Sequence, residues 1–175
     1  SNKFPFQPYI LGQDVLIENI PNDLSNISYP DPDNVGKFVY GIHALDLSFQ
    51  SLNYSMGISY EIPNTPLIYY YKIQLDQALN TTPRTFYKDD GANSNSSLLK
   101  DSIPFLYDPI YKSYFQRVYT NDGTGRINMY SRDLLWLFDY KSGFLQFYGS
   151  STTVVQDWVT NNGPPRISVI VYNGN

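Results

Sequence analysis

The chain of 175 residues contains no cysteine, a single histidine and only two glutamates. Without cysteine, disulfide frameworks, thiolate nucleophiles and thiolate metal sites are all excluded, so stability has to come from packing. The one histidine, His43, excludes every site that needs two imidazoles, including most catalytic zinc sites. We therefore expect neither a metal nor a cofactor.

Charged side chains are also scarce, at 16% of the chain, against about 25% in an average soluble domain. The formal net charge is -4 and the isoelectric point is about 4.7. We therefore expect no basic surface that could bind a phosphate backbone, and no nucleic-acid partner. No apolar run approaches the roughly 18 to 20 residues that cross a bilayer. The N-terminus also lacks a basic segment followed by an apolar one, so we expect no membrane partner and no secretory leader.

What the chain does contain is apolar and aromatic side chains, which make up 42% and 17% of it. This composition fills the core of one domain. The apolar residues alternate with polar ones, which is typical of strands. The clearest runs are 45–49, 56–62 and 67–75, and in the last of them the odd positions are expected to form one apolar face.

Two hairpins and a closing strand are predicted in the second half of the chain. Asn121-Asp122-Gly123 separates two apolar stretches, and Asp-Gly readily adopts the positive backbone angles of a tight turn. A second hairpin is expected to turn at Lys141-Ser142-Gly143. The last strand is predicted over 166–172, because Pro164-Pro165 prevents it from starting earlier.

The signals for helices are weak: residues 75–80 and 98–104 could each hold a helical turn, but neither stretch shows the i, i+3, i+4, i+7 recurrence of a surface helix over three turns. We predict an all-β fold, an antiparallel and jelly-roll-like β-sandwich with long loops and little helix. Residues 36–175 are expected to form this domain. The proline-rich segment 1–35 is expected to be an N-terminal arm or an edge segment, and the polar tract 80–97 an exposed loop.

Few residues are candidates for catalysis. His43 follows 39–42 in a predicted strand, where Asp46, three residues on, would lie on the opposite face and form no dyad with it. No Gly-x-Ser-x-Gly turn is present, so a hydrolase is unsupported. With two glutamates, a paired-carboxylate glycosidase would need aspartates. We predict that the protein is not an enzyme and keep an aspartate-based carbohydrate-active enzyme as an alternative.

Two acidic stretches contain oxygen ligands of the kind that calcium prefers, Asp31-Pro32-Asp33-Asn34 and Asp89-Asp90. Both lack the regularly spaced ligands and the final glutamate of a helix-loop-helix calcium site. Asp-Pro and Asp-Gly are common simply as turn formers. We interpret both stretches as turns.

Tyrosine is unusually abundant, with 17 copies beside ten phenylalanines and two tryptophans. A broad ring with a hydroxyl at its edge suits binding surfaces. Trp158 falls in a predicted loop and, with tyrosines such as Tyr87 or Tyr140, is a candidate for stacking against a sugar ring of a host glycan. A carbohydrate-binding module is therefore an alternative function. The competing interpretation is that the tyrosines fill and rim a β-sandwich.

Three stretches of the C-terminal third carry a resemblance. They are Trp136-Leu137-Phe138-Asp139-Tyr140 with Ser142-Gly143, then Leu145-Gln146-Phe147-Tyr148-Gly149, then Pro164-Pro165-Arg166-Ile167-Ser168 with Tyr172-Asn173-Gly174. Residues 107–174 are similar to a C-terminal module of virion surface and fibre-like structural proteins of large double-stranded DNA viruses, and to phage tail-fibre-like proteins. In those proteins a W-x-F-D-x-x-x-G-x-L-x-F-Y hairpin precedes a variable loop and a P-P-x-I-S closing strand.

The resemblance implies a viral structural protein of the virion, a capsid or fibre component that serves assembly or host-surface attachment. Its implied partners are other virion proteins and copies of itself, for which a trimer is one expected form. A weakly charged, aromatic-rich exterior independently favours a subunit interface. The matched residues have scaffold roles by their types: Trp136, Phe138, Leu145 and Phe147 pack the hairpin, Asp139 starts its turn, Gly143 permits a positive φ, and Pro164 and Pro165 seat the strand of Ile167.

Overall fold

The computed structural model describes residues 27–78, 84–91, 96–104, 107, 114–132 and 134–173. Within these ranges the strands of the first half are β1 (Ser28–Pro30), β2 (Phe38–Tyr40), β3 (Ile58–Glu61), β4 (Leu67–Gln74), β5 (Asp76–Gln77) and β6 (Thr85–Tyr87). Those of the second half are β7 (Arg117–Tyr119), β8 (Arg126–Ile127), β9 (Leu137–Asp139), β10 (Phe144–Gln146) and β11 (Arg166–Tyr172). The helices are α1 (Gly41–Ser51) and α2 (Thr152–Asn162).

These strands form three sheets in which every strand pairing is antiparallel. β1 and β2 make a two-stranded sheet. The four-stranded sheet has the order β5-β6-β10-β9, and the five-stranded sheet has the order β3-β4-β11-β7-β8. The predicted all-β antiparallel fold is confirmed.

The main core is formed by residues of the four-stranded and five-stranded sheets together. The five-stranded sheet contributes Val118, Ile127, Ile167, Val169 and Val171, and the four-stranded sheet contributes Phe86, Phe138 and Leu145. Phe86 and Phe147 meet edge to face, with ring centroids 5.6 Å apart. Val155 of α2 is fully buried in the same core. The arrangement is sandwich-like, as predicted, with α2 packed against its core.

A second core lies on the other face of the five-stranded sheet. Along β11, Ile167, Val169 and Val171 belong to the main core, whereas Ile170 and Tyr172 belong to this second one. Successive side chains of a strand point to opposite faces, so the second core covers the reverse side of the sheet. It is closed by α1, whose residues Ile42, Leu45 and Phe49 recur at helical spacing and are buried there.

A β-bulge in β4 changes which side its residues face. Between the pairs Tyr70–Val169 and Ile73–Ile167, two residues of β4 oppose the single residue Ser168 of β11. Before the bulge the odd positions of β4 lie in the second core, and after it Ile73 and Leu75 lie in the main core. The prediction of one apolar face along 67–75 is therefore wrong, because the extra residue shifts the alternation by one.

Both predicted hairpins and the closing strand are confirmed. β7 and β8 pair on either side of Asn121-Asp122-Gly123, and β9 and β10 pair on either side of the turn that ends at Gly143. β11 has the predicted bounds and pairs with both β4 and β7. The run 56–62 contains the predicted strand, observed as β3.

Three other predictions from the local pattern are corrected. The run 45–49 is not a strand, because these residues lie in α1. The segment of Trp158 is not a loop but α2, which begins where the Ser151 side chain accepts a hydrogen bond from the Val154 amide at 3.2 Å. The polar tract 80–97 contains β6, whose Phe86 is fully buried.

The expected N-terminal arm is largely outside the described residues, which begin at residue 27. The described end of that segment is not separate from the body of the fold. Its residues Ser28–Pro30 form β1, which pairs with β2, and the Gly41 amide at the start of α1 donates to the Ile27 carbonyl at 3.2 Å.

Candidate functional site

A buried carboxylate, Asp46, lies between α1 and the five-stranded sheet. Asp46 follows Leu45 on the side of α1 that faces the second core, and only 3% of its surface is exposed. A carboxylate is rarely buried to this degree unless it is paired or hydrogen-bonded.

Two tyrosine hydroxyls donate hydrogen bonds to Asp46, one to each carboxylate oxygen. Tyr69 of β4 donates to Oδ1, and Tyr119 of β7 donates to Oδ2. The hydroxyl of Ser168 on β11 is a third hydrogen-bond partner. The network thus joins α1 to three adjacent strands of the sheet, and the partners of the carboxylate come from segments far apart in the sequence.

Lys72 places a positive charge beside this network. Its Nζ donates to the Gly123 carbonyl at 2.7 Å and lies 4.5 Å from the centre of the Tyr119 ring. The bulge of β4 places it there: Lys72 has a φ of 46°, and its amide donates to the Ser168 hydroxyl at 3.1 Å. Without the extra residue, Lys72 would point to the main core.

Burial is the main cause that shifts the pKa values of this network. It raises the pKa of Asp46, against the lowering effect of the hydrogen bonds from Tyr119, Tyr69 and Ser168 and of the Lys72 charge. Burial, reinforced by the Asp46 charge, also raises the pKa of Tyr69 and of Tyr119. Burial lowers the pKa of Lys72. Burial therefore disfavours the charged form of each of these groups, which is typical of a structural polar core.

His43 lies three residues before Asp46, in the first turn of α1 and not in a strand as predicted. In a helix this spacing puts two residues on neighbouring positions of one face, so the expected opposite placement is wrong. The Nδ1 atom of His43 is buried without a hydrogen-bond partner. Burial, together with the charges of Arg117 and Arg126, lowers the pKa of His43 to about 4.

The three aromatic residues predicted to stack on a sugar lie on three different elements. Trp158, on α2, is half-buried, with its ring 6.4 Å from that of Phe147. Tyr87, on β6, is 6% exposed and stacks on Phe144 at 5.1 Å. Tyr140, in the turn after β9, is half-buried against both cores. Each ring uses much of its surface in intramolecular packing, and sugar binding by them stays a prediction.

The residues of the hairpin motif occupy scaffold positions. Trp136 is buried, and its Nε1 donates to the Ile127 carbonyl at 2.8 Å. The Asp139 carboxylate accepts from the amides of Lys141 and Ser142 at 3.0 and 3.3 Å. Gly143 has a φ of 76°. The other buried motif residues are Phe138, Leu145, Phe147, Pro165 and Ile167, with Pro164 half-buried.

The two acidic stretches, 31–34 and 89–90, form turns, as predicted. Asp31 accepts from the Asp33 amide at 2.9 Å and from the Asn34 side chain at 3.1 Å, and Asp89 accepts from the Gly91 amide at 3.0 Å. Over the described part of the chain, His, Cys, Asp and Glu nowhere gather in a group of three or more that could hold a metal ion.

No helix within the described ranges is long and apolar enough to cross a membrane. The chain was also compared with known proteins. It matches no protein-family model, no curated protein and no solved structure.

Proposed function

We propose that this chain is a non-enzymatic structural domain that assembles with copies of itself on the surface of a virus particle. The single observation that supports assembly most directly is an exposed apolar patch beside the edge strand β3. The placement on a virus particle rests on the resemblance of residues 107–174 to virion surface and fibre-like proteins. Host-surface attachment is the expected role of such a displayed domain.

The patch consists of Leu52, Tyr54, Met56 and Tyr60, whose side chains are 64%, 42%, 37% and 38% exposed. Two of its members lie together, because the rings of Tyr54 and Tyr60 both pack on the buried ring of Phe49, at 4.4 and 5.5 Å. Scattered apolar side chains are ordinary on a protein surface, whereas neighbouring exposed tyrosines are typical of an interface.

The backbone of β3 supports association at the same place. The Ile62 amide donates to the Leu67 carbonyl at 3.0 Å, so these two residues form a hydrogen-bonded pair. Every second pair of an antiparallel ladder is hydrogen-bonded, so the next bonded pair along β3 is Tyr60 with Tyr69. The backbone groups of Ser59 and Glu61, which lie in the pairs between, therefore point away from β4. No strand of the described part of the chain pairs with β3 on that side. An open edge beside tyrosines suits pairing with a second copy.

Sedimentation of the full chain at micromolar concentrations tests the proposal. We expect a multiple of 20.1 kDa for the wild type. Ser59→Pro removes an outward amide without touching the bonds to β4, and Tyr60→Lys places a charge in the patch. Each should raise the dissociation constant about tenfold or more, since loss of an interface anchor costs upward of about 1.4 kcal/mol.

Tyr130→Lys is the matched control, because Tyr130 is 72% exposed and lies outside the patch. It should leave the dissociation constant unchanged. A wild type that sediments only at 20.1 kDa would overturn self-assembly. Equal effects of Tyr60→Lys and Tyr130→Lys would overturn the assignment to β3. The viral part is tested by mass spectrometry of purified particles from the source of the sequence, in which the chain must be present.

A further inference from the structure

Two arginines lie side by side on the α1 face of the five-stranded sheet. In β7 and β8, Val118 and Ile127 pair with each other and point into the main core. The neighbouring residues Arg117 and Arg126 therefore point to the opposite face, beside α1. Arg126 pairs with Tyr119, so Arg117 is its diagonal neighbour across the two strands, within reach of a long side chain.

Of the described residues, Asp46 is the carboxylate that attracts Arg117, and its two oxygens already accept hydrogen bonds from Tyr69 and Tyr119. Arg117 lies over the Phe115 ring at 5.6 Å, and its Nε is buried without a hydrogen-bond partner. Burial and the nearby charge of Arg126 lower the pKa of Arg117, against the raising effect of Tyr119 and Asp46. Like charges on neighbouring strands destabilise a sheet, and a buried donor without an acceptor adds to that cost.

His43, in the first turn of α1, is close enough to the same two arginines for their charges to lower its pKa. Its Nδ1 is a second buried nitrogen without a partner, and its charge interactions with Arg117 and Arg126 are stronger than those with Asp31 and Lys72. The first turn of α1 contains no acidic residue and no side-chain cap, so the positive end of the helix dipole adds to the field. The two acidic groups of this neighbourhood already accept hydrogen bonds: Asp31 accepts them within its own turn, and Asp46 accepts them from Tyr69 and Tyr119.

We propose that Arg117, Arg126 and His43 form a binding site for a small oxyanion, such as a sulfate or carboxylate group. The anion would accept hydrogen bonds from buried donors that lack an acceptor, and it would convert the repulsion between two cations into attraction to a common partner. His43 would be protonated on binding and contribute a third positive charge. The site lies away from the β3 patch and does not depend on the proposed assembly.

The single histidine makes the test direct, because every imidazole signal in the NMR spectrum belongs to His43. The pKa of His43 is measured with sodium sulfate, with sodium trifluoroacetate and with sodium chloride alone, all at one ionic strength; both test anions stay ionised over the range in which His43 titrates. We expect sulfate or trifluoroacetate to raise the pKa of His43 by about one unit, which is typical of an opposite charge nearby. By linkage, the anion then binds about tenfold more tightly when the pH is below the pKa of His43 in both the free and the anion-bound protein than when it is above both.

Arg126→Gln should abolish the rise, and because Arg126 is exposed this change should leave the fold intact. Arg132→Gln, which removes the same charge from an exposed loop residue, should leave the rise of the His43 pKa unchanged. The response to sulfate against trifluoroacetate distinguishes a tetrahedral oxyanion from a planar carboxylate. A pKa that neither anion moves would overturn the site. An equal rise in wild type and Arg126→Gln would do the same, since it would mean a general effect of the anions.

Discussion

Removing the Asp46 carboxylate should be among the most destabilising single changes in this protein. The side chain is 3% exposed and accepts hydrogen bonds from the hydroxyls of Tyr69 and Tyr119. Asp46→Ala leaves both buried hydroxyls without this acceptor, at about 1–3 kcal/mol each, so the free energy of unfolding should fall by about 2–6 kcal/mol. The whole fold is expected to be stable by about 5–15 kcal/mol, so this loss is large.

Asp46→Asn separates the shape of the side chain from its charge. The amide keeps one acceptor and resembles the protonated acid, so we expect a loss below about 1.5 kcal/mol at neutral pH. Burial raises the pKa of Asp46 above its ordinary value of 3.8, so between 3.8 and the raised value the folded state binds more protons than the unfolded state. The stability of the wild type therefore falls as pH rises through that window, and the Asp46→Asn variant lacks this dependence.

Urea unfolding of the wild type and both variants between about pH 3 and pH 7 measures these quantities. The advantage of wild type over Asp46→Asn should be greatest at the acid end and shrink as pH rises. Carboxyl groups elsewhere are common to both proteins and cancel in the difference. A loss below about 1 kcal/mol for Asp46→Ala, or an advantage over Asp46→Asn that grows with pH, would refute this account of the network.

Two further predictions concern the scaffold. Gly143→Ala should cost more than the about 1–2 kcal/mol of a left-handed alanine, because the added Cβ would lie 2.5 Å from the backbone of Leu99 and Lys100. Gly36 also has a positive φ, 85°, but nothing lies within 4 Å of an added Cβ, so Gly36→Ala measures the cost of the backbone conformation alone. If urea unfolding gave the same loss of unfolding free energy for both variants, the clash at Gly143 would be contradicted. Ser151→Ala should lower stability by about 1 kcal/mol through loss of the α2 cap, and an unchanged unfolding midpoint would argue against that cap.

The parts of the fold that were predicted correctly are those in which local chemistry determines the structure. Asp-Gly and Ser-Gly turns bring neighbouring strands together whatever surrounds them, so both hairpins follow from a few adjacent residues. Pro164-Pro165 marks the start of β11 for a similar reason, because proline cannot donate the hydrogen bonds of a central strand.

Both helices were missed, for related reasons. In α1 the alternation of Leu45, Leu47 and Phe49 imitates a strand, although Ile42, Leu45 and Phe49 also recur at helical spacing. A short apolar run fits both periods, and packing on the sheet decides between them. In α2 the sequence does contain a helical pattern, since a serine cap and Gly163 enclose four apolar residues at helical spacing, Val154, Val155, Trp158 and Val159.

The sequence by itself determined the strand-rich character of the chain, its hairpins and the lack of thiols and paired imidazoles, because these depend on composition and on neighbouring residues. The tertiary structure alone decided the sites. Asp46 meets Tyr69 and Tyr119 only because α1 packs on the sheet, and Lys72 joins them only because a bulge shifts β4 by one residue. Such meetings join residues far apart along the chain, and no local pattern records which distant partner folding will bring.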